Sequence, residues 1–306
     1  MLSKVGGFMY RNLFPFEEVE TRGKFYAFKM VELIVLLFTI KFAYDWGFYI
    51  QRIGEVVLPL GIAQYIDVSF MFSNNISVVN GAIMIIAALA GFFRLSRYAY
   101  AICFASFHLH YVSRYCLGEI SHGSNLIGMA IFIFAVGHIA FQEGKNFRVF
   151  SMGMAHFYFA MGYTSAGICK LIGTGPTWID GSHLWMWIGE RSVDVTSRMG
   201  EFAPNFLQEW ILANHTFATV VLLFGLMAEL ASFLLWFRFT RPWATIIVIG
   251  MHQGISTSMN ILFLENMIIL IAVGLPWYIL FDRFLPGNPS TAEGSGSSPG
   301  ISPEPA

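Results

Sequence analysis

The chain has 306 residues, of which 56% are hydrophobic and only 12% charged, with a formal net charge of −1 and a mean hydropathy of +0.61. A soluble domain carries about 25% charged residues, so a chain this apolar is not expected to close on one aqueous core, and its expected solvent is lipid. The near-neutral balance argues against a nucleic-acid partner held by phosphate neutralisation.

Residues 1–25 hold Lys4, Arg11, Arg22 and Lys24 but lack the uninterrupted apolar core of a cleavable signal. They read as a cytoplasmic N-terminal segment, with the first apolar helix as its own insertion signal. Crossing about 30 Å of hydrocarbon takes roughly 20 apolar residues. Stretches near 26–47, 77–94, 97–115, 122–142, 148–171, 214–237, 243–263 and 266–283 meet that requirement. The third is the most polar, "SRYAYAICFASFHLHYVSRY". Residues 52–72 are apolar too, but Glu55, Pro59 and Asp67 mark them as re-entrant or interfacial. Irregular backbone survives at membrane depth only where protein or water satisfies it.

Basic residues orient these stretches. With the N-terminus inside, Arg94 and Arg97, Lys145 and Arg148, Arg238 and Arg241, and Arg283 fall at cytoplasmic positions, mostly in short turns. Arg52, Arg114, Arg191 and Arg198 are scattered over longer outer segments. Basic pairs in short loops on one side follow the positive-inside rule. The expected fold is all-α: a polytopic transmembrane helical bundle of about eight spans with both termini cytoplasmic. It forms one domain over 26–284 in a bacterial inner membrane, with an outer-side loop at 172–213 on the periplasmic face. Residues 285–306 are rich in Pro, Gly and Ser; such a tail is too poor in apolar mass to offset its ordering entropy and is expected to be disordered.

On a 3.6-residue helix, seven residues advance nearly two turns, so His156, Tyr163 and Lys170 share one face of the fifth stretch. An ionisable group within a span is a functional candidate, because it costs at least a few kcal/mol there. Spacing alone leaves two readings of Lys170 open: a desolvated amine serving as a base, or one that snorkels to the interface beside Trp178 and Trp185. His252, Ser256 and Asn260 form a polar stripe, either a pocket wall or a helix-to-helix contact. Glu229, in mid-span, needs a partner on another helix and is a pocket candidate. His108 and His110 lie on different sides of their helix and read as structural. "GTGP" at 173–176 lacks the ending of a phosphate loop. Cys103, Cys116 and Cys169 lack metal-ligand spacing and read as small hydrophobes.

The string "SAGICKL" followed by "TWIDG" (165–171 and 177–181) resembles the Lys-containing signature of the vitamin K-dependent gamma-glutamyl carboxylase membrane part. It is also similar to that of the related horizontally transferred transmembrane domain family. "GMHQGISTSMNILFLEN" resembles that family's late His-containing helix, and "GLMAELASFLLWFRFTRPWA" supplies Glu229 and Arg241 in the family's order. "ISHGSNLIGM" is similar to its Asn-His-Ser-x-Leu-x-Gly stretch, with His122 offset by one position. The resemblance implies a quinone/hydroquinone cofactor, Lys170 as the base that deprotonates it, and His122 as a helper. Trp178, Gly181, His252, Asn260 and Glu229, which lie in the matching strings, are the expected surrounding binding residues, together with Tyr163 and His156 on the helix face of Lys170. No large substrate-presenting region follows the last stretch, so protein glutamate carboxylation by this chain alone is not expected. The alternative is a non-catalytic membrane subunit of a larger complex, or a lipid- or small-molecule-binding protein. Transport ranks last because no internal repeat is visible.

Overall fold

An apolar chain satisfies its backbone donors and acceptors internally by forming helices, and the computed structural model is helical throughout. It describes residues 2–52, 58–118, 122–141 and 143–285, among which there are α-helices and short 3-10 turns and no strand. The order is α1 (Leu2–Leu13), α2 (Arg22–Arg52), α3 (Ile76–Phe92), α4 (Ala99–Cys116), α5 (Asn125–Ala140), α6 (Gly144–Thr174), α7 (Gly181–Met199), α8 (Phe206–Ala213), α9 (His215–Leu230), α10 (Arg241–Met259), α11 (Leu264–Gly274) and α12 (Trp277–Phe284). Consecutive helices from α2 to α6 pack on each other, α6 packs on α9, and α9 on α10. The α11–α12 pair returns to α2 and closes the bundle. The core runs through this ring, with Phe28, Phe134 and Phe147 fully buried in mutual ring contact.

By length and hydropathy, two helical stretches are able to cross a membrane, His122–Ala140 and His215–Trp236. A third qualifies if α11 and α12, bent by 61° at their junction, count as one. The shorter tally has a physical basis. Within α2 lie Lys29, Glu32, Lys41 and Asp45, α3 is only 17 residues long, and α4 is diluted by Tyr, Ser and His. The kink replaces the straight helix expected over 266–283. Leu275 precedes Pro276 and is extended, as the residue before proline prefers.

Residues 172–213 are not a loop. A 3-10 turn (Gly175–Ile179), α7 and α8 fold around their own small core of Leu184, Ile188, Ile211, Ala218 and Leu222. The local signals were present. Asp180 N-caps α7 by accepting from the Ser182 N–H, and Asn205 with Gln208 forms a capping box on α8. Of the stretch 52–72, residues 58–72 form two 3-10 turns, Gly61–Gln64 and Ser69–Phe72, packed against the end of α4 through Val68, Val112 and Cys116. Glu55 and the tail from 286 onward lie outside the described residues.

The end of the bundle that holds the N-terminal segment is tied by charge. Arg148 holds Glu20 through two bonds of 2.6 Å, and Glu18 takes Lys24 and Arg238. Asp282 of α12 accepts from Thr21 and from the Gly23 N–H. Two turns into α2, the fully buried Glu32 accepts from Arg94, Tyr100 and Lys29. Removing one member of a buried charge cluster strands the others without solvent. Glu32→Ala is therefore expected to lower stability by about 3–5 kcal/mol, read as a large fall in the detergent melting temperature. A change within about 0.5 kcal/mol, the range of an ordinary surface substitution, would show the cluster to be incidental.

Candidate functional site

A cavity of about 720 Å³ lies at the opposite end of the bundle between α5, α6, α9 and α10, beneath α7. Most of its wall is apolar, with Leu126, Met129, Val221, Met251, Ile255 and Phe263 among the lining residues. Such a volume matches the usual range for small-molecule sites, roughly 300–1,000 Å³. Its polar groups converge from different helices.

Lys170 arrives from the last turns of α6. Three residues earlier, Gly167 lets α9 approach closely: a Cβ there would meet Leu230 and Glu229 side-chain atoms at 3.1–3.2 Å. That approach brings the Glu229 carboxylate onto the Lys170 ammonium. The Trp178 ring covers the same ammonium, 4.6 Å from its centroid, a cation–π contact worth about 0.5–2 kcal/mol. One helical stretch down, the Tyr163 hydroxyl and His252 Nε2 of α10 are hydrogen-bonded at 2.7 Å. Phe263 packs at a tilt on that imidazole, 5.1 Å between ring centroids. Glu229 Oε2, His252 Nδ1 and the Asn266 side-chain oxygen have no hydrogen-bond partner among the described residues. Buried polar atoms left unpaired mark a place prepared for something else to bond.

Six of the sequence candidates therefore meet in one cavity: Lys170, Glu229, Tyr163, His252, Trp178 and His122. The partner of Glu229 is Lys170, not Arg241, whose guanidinium bonds backbone carbonyls at the other end. His122 lines the wall, and its backbone oxygen accepts from Asn266. No hydrogen bond joins it to Lys170 among the described residues.

Three candidates fall elsewhere. His156 is buried against α11, its Nε2 bonded to the Val273 carbonyl at 2.9 Å. It shares a helix face with Tyr163, but seven residues of rise place it about 10 Å away, beyond the cavity floor. Gly181 packs against α9, where a Cβ would come 2.4 Å from the His215 carbonyl oxygen; it is a helix-crossing residue. Asn260 ends α10 in the left-handed region, at φ 54°, and does not line the cavity. Residues the sequence reading passed over include Asn125, Asn266 and Ser258. Their polar side chains inside apolar stretches were the available signal.

A second grouping looks like a nucleophilic triad and is not one. Asp180 and Ser182 both reach the same nitrogen of His215, Nε2, at 2.9 and 3.3 Å. A triad needs the carboxylate on one ring nitrogen and the hydroxyl on the other. The three instead fasten α7 to α9. Hydrogen bonds from the Ser182 backbone N–H and hydroxyl, and from His215, hold the Asp180 carboxyl down at about 2.

Two outcomes follow from this geometry. Lys170→Ala strands a carboxylate that is only 9% exposed, so a loss of about 2–3 kcal/mol is expected. That is below the full buried-pair cost because Lys170 is itself partly exposed. The double replacement Lys170→Met with Glu229→Leu should recover most of it in a detergent melt. Because the Asp180 pKa is depressed, its stabilising contribution is complete above the ordinary carboxylate value of 3.8 and is lost as pH falls through about 2. The difference in melting temperature between the wild type and Asp180→Asn should accordingly shrink over that window; a difference independent of pH would discount the carboxylate's role.

No protein-family model, no curated protein and no solved structure matches the chain.

Proposed function

We propose that the chain is an integral membrane protein of about eight spans, with both termini cytoplasmic and residues 172–213 on the periplasmic side of a bacterial inner membrane. We further propose that its cavity binds a lipid-soluble quinol, with Lys170 and Glu229 as the proton-accepting pair. Large apolar side chains such as Leu37, Ile86, Val220, Phe224 and Ile247 point outward from α2, α3, α9 and α10, a surface that lipid rather than water would cover. Basic residues gather at the end where the segment before α2 meets α12, the pattern that the positive-inside rule associates with that orientation.

The observation that carries the site reading is the Lys170–Glu229 pair in the wall of a large apolar cavity. The cavity is large enough for a ring-and-tail molecule, and the unpartnered Glu229 Oε2 and His252 Nδ1 are available to hydrogen-bond a ligand there. A bound quinol supplies hydroxyl protons and two electrons. The pair has two proton arrangements, ammonium with carboxylate or amine with carboxylic acid. In the first Glu229 is the acceptor and in the second Lys170 is, so either form takes a proton from a hydroxyl placed beside it. Lys170, when charged, would supply the positive charge that favours a deprotonated hydroxyl in the cavity. Trp178 covers one side of its Nζ, and the Tyr163–His252 bond holds the imidazole in position. His122, on the same wall, is the helper within reach of a ligand but not of Lys170.

A second reading has an observation in its favour. Lys170 and Glu229 satisfy each other, which is also what a helix-to-helix lock in a non-catalytic subunit or lipid-binding protein looks like. Mass spectrometry of lipid extracts from the purified protein, with binding of menadiol by equilibrium dialysis, separates the two. The proposal expects a co-purifying quinone and saturable menadiol binding, weakened at least tenfold, or about 1.4 kcal/mol, by Glu229→Gln or Lys170→Ala. Absence of any quinone, no menadiol binding and full tolerance of Lys170→Arg would sink it in favour of the second reading.

A further inference from the structure

A smaller cavity of about 200 Å³ lies at the other end of the bundle, bounded by the end of α1, the segment before α2, α6, α10 and the α11–α12 kink. Its charged lining consists of Lys24, Arg148, Arg238, Arg241, Glu18 and Glu20. The carboxylates are already engaged. Glu20 is gripped by Arg148 through two bonds, and Glu18 lies between Lys24 and Arg238. With four cations and two carboxylates, the lining keeps a surplus of two positive charges. A concave, partly apolar wall focuses such a field instead of letting water disperse it.

Arg241 stands out because no carboxylate meets it. Its Nε donates to the Leu235 carbonyl at 2.9 Å, and its Nη2 reaches the carbonyls of Asn12 and Trp236. These bonds aim the guanidinium and use three of its five protons at most, while Nη1 carries no hydrogen bond among the described residues. Capping the end of the 3-10 turn at Ala231–Trp236 explains the bonded nitrogens. It does not explain the free one, the charge surplus or the space in front of it. A pre-aimed guanidinium whose Nη1 is free among the described residues, with Arg238 and Lys24 on the same lining, is suited to donate charge-assisted hydrogen bonds to a phosphate oxygen.

We propose that this inner cavity is a phosphate-anion site, anchored by Arg241 and supported by Arg238 and Lys24. The phosphate comes either from the headgroup of an anionic phospholipid or from free phosphate. The lipid source rests on the membrane placement proposed above, whereas the anion chemistry does not. The site lies at the far end of the bundle from the Lys170 cavity and is independent of any reaction there.

The full chain, purified in detergent, is exchanged into vesicles of phosphatidylcholine and phosphatidylglycerol at 4:1, then analysed by native mass spectrometry. In parallel, its melting temperature is followed against inorganic phosphate in detergent alone. A lipid site predicts one retained phosphatidylglycerol, enriched at least tenfold over its share. A free-phosphate site predicts a saturable rise in melting temperature that an equal ionic strength of chloride does not reproduce. In either case Arg241→Gln reduces the effect at least tenfold. The partly exposed Arg238→Gln reduces it several-fold, and serves as the readout if the first variant does not fold. Flotation with the vesicles reports membrane association separately. A chain that floats yet shows neither enrichment nor phosphate saturation, or that keeps either effect undiminished in the folded variants, overturns the site and leaves the membrane reading intact. A chain that does not float removes the lipid source and leaves the phosphate titration to decide.

Discussion

The contact between Lys170 and Glu229 organises the half of the molecule around the larger cavity. Neither group is stable alone among apolar helices, and each makes the other tolerable. Their meeting depends on a missing side chain, since Gly167 is what allows α9 to lie close enough to α6. Once the ammonium is placed, Trp178 settles over it. Trp178 belongs to the 3-10 turn that leads into α7, so the turn and the helices after it are seated relative to the cavity by the same charge. A requirement of electrostatics thus becomes the shape of a pocket.

The other end follows a different logic. There the basic residues are shared among structural tasks: Arg94 serves the buried Glu32, Arg148 holds Glu20, and Arg238 holds Glu18. The last two side chains pin the N-terminal segment across α6 and α10. Arg241 departs from this pattern, fixed by carbonyls instead of a carboxylate. The ion pairs therefore serve stability, whereas the charge surplus is local to a single cavity.

The two cavities are stacked along one face of α6. His156 belongs to the inner one and Tyr163 and Lys170 to the outer, although all three share that face. Helical periodicity assigns a direction around the axis but not a depth along it. Depth is set by what packs between, here the junction of α6 with α10 and α11. The proposed chemistry at the outer cavity and the proposed anion at the inner one are separated by that packed layer.

The sequence by itself determined that the chain is helical and apolar outside as well as in, and it located α3, α4 and α5 to within a few residues, but not α7, α8 or the break between α11 and α12. Hydrophobic length and charge placement are local properties that need no partner to be read. It also singled out Lys170, Glu229, Tyr163, His252, Trp178 and His122 as chemically unusual in their settings. Only the tertiary structure decided which of them meet. The pairing of Lys170 with Glu229 crosses 59 residues and that of Tyr163 with His252 crosses 89, separations at which no local rule operates. The same limit explains why Gly181 and Asn260 proved to be packing and capping residues, and why 172–213 folded into helices around Leu184 and Ile188. The role of Gly181 and of the α7–α8 segment was fixed by the surface of α9, which exists only once the bundle has formed, and that of Asn260 by the left-handed turn that ends α10.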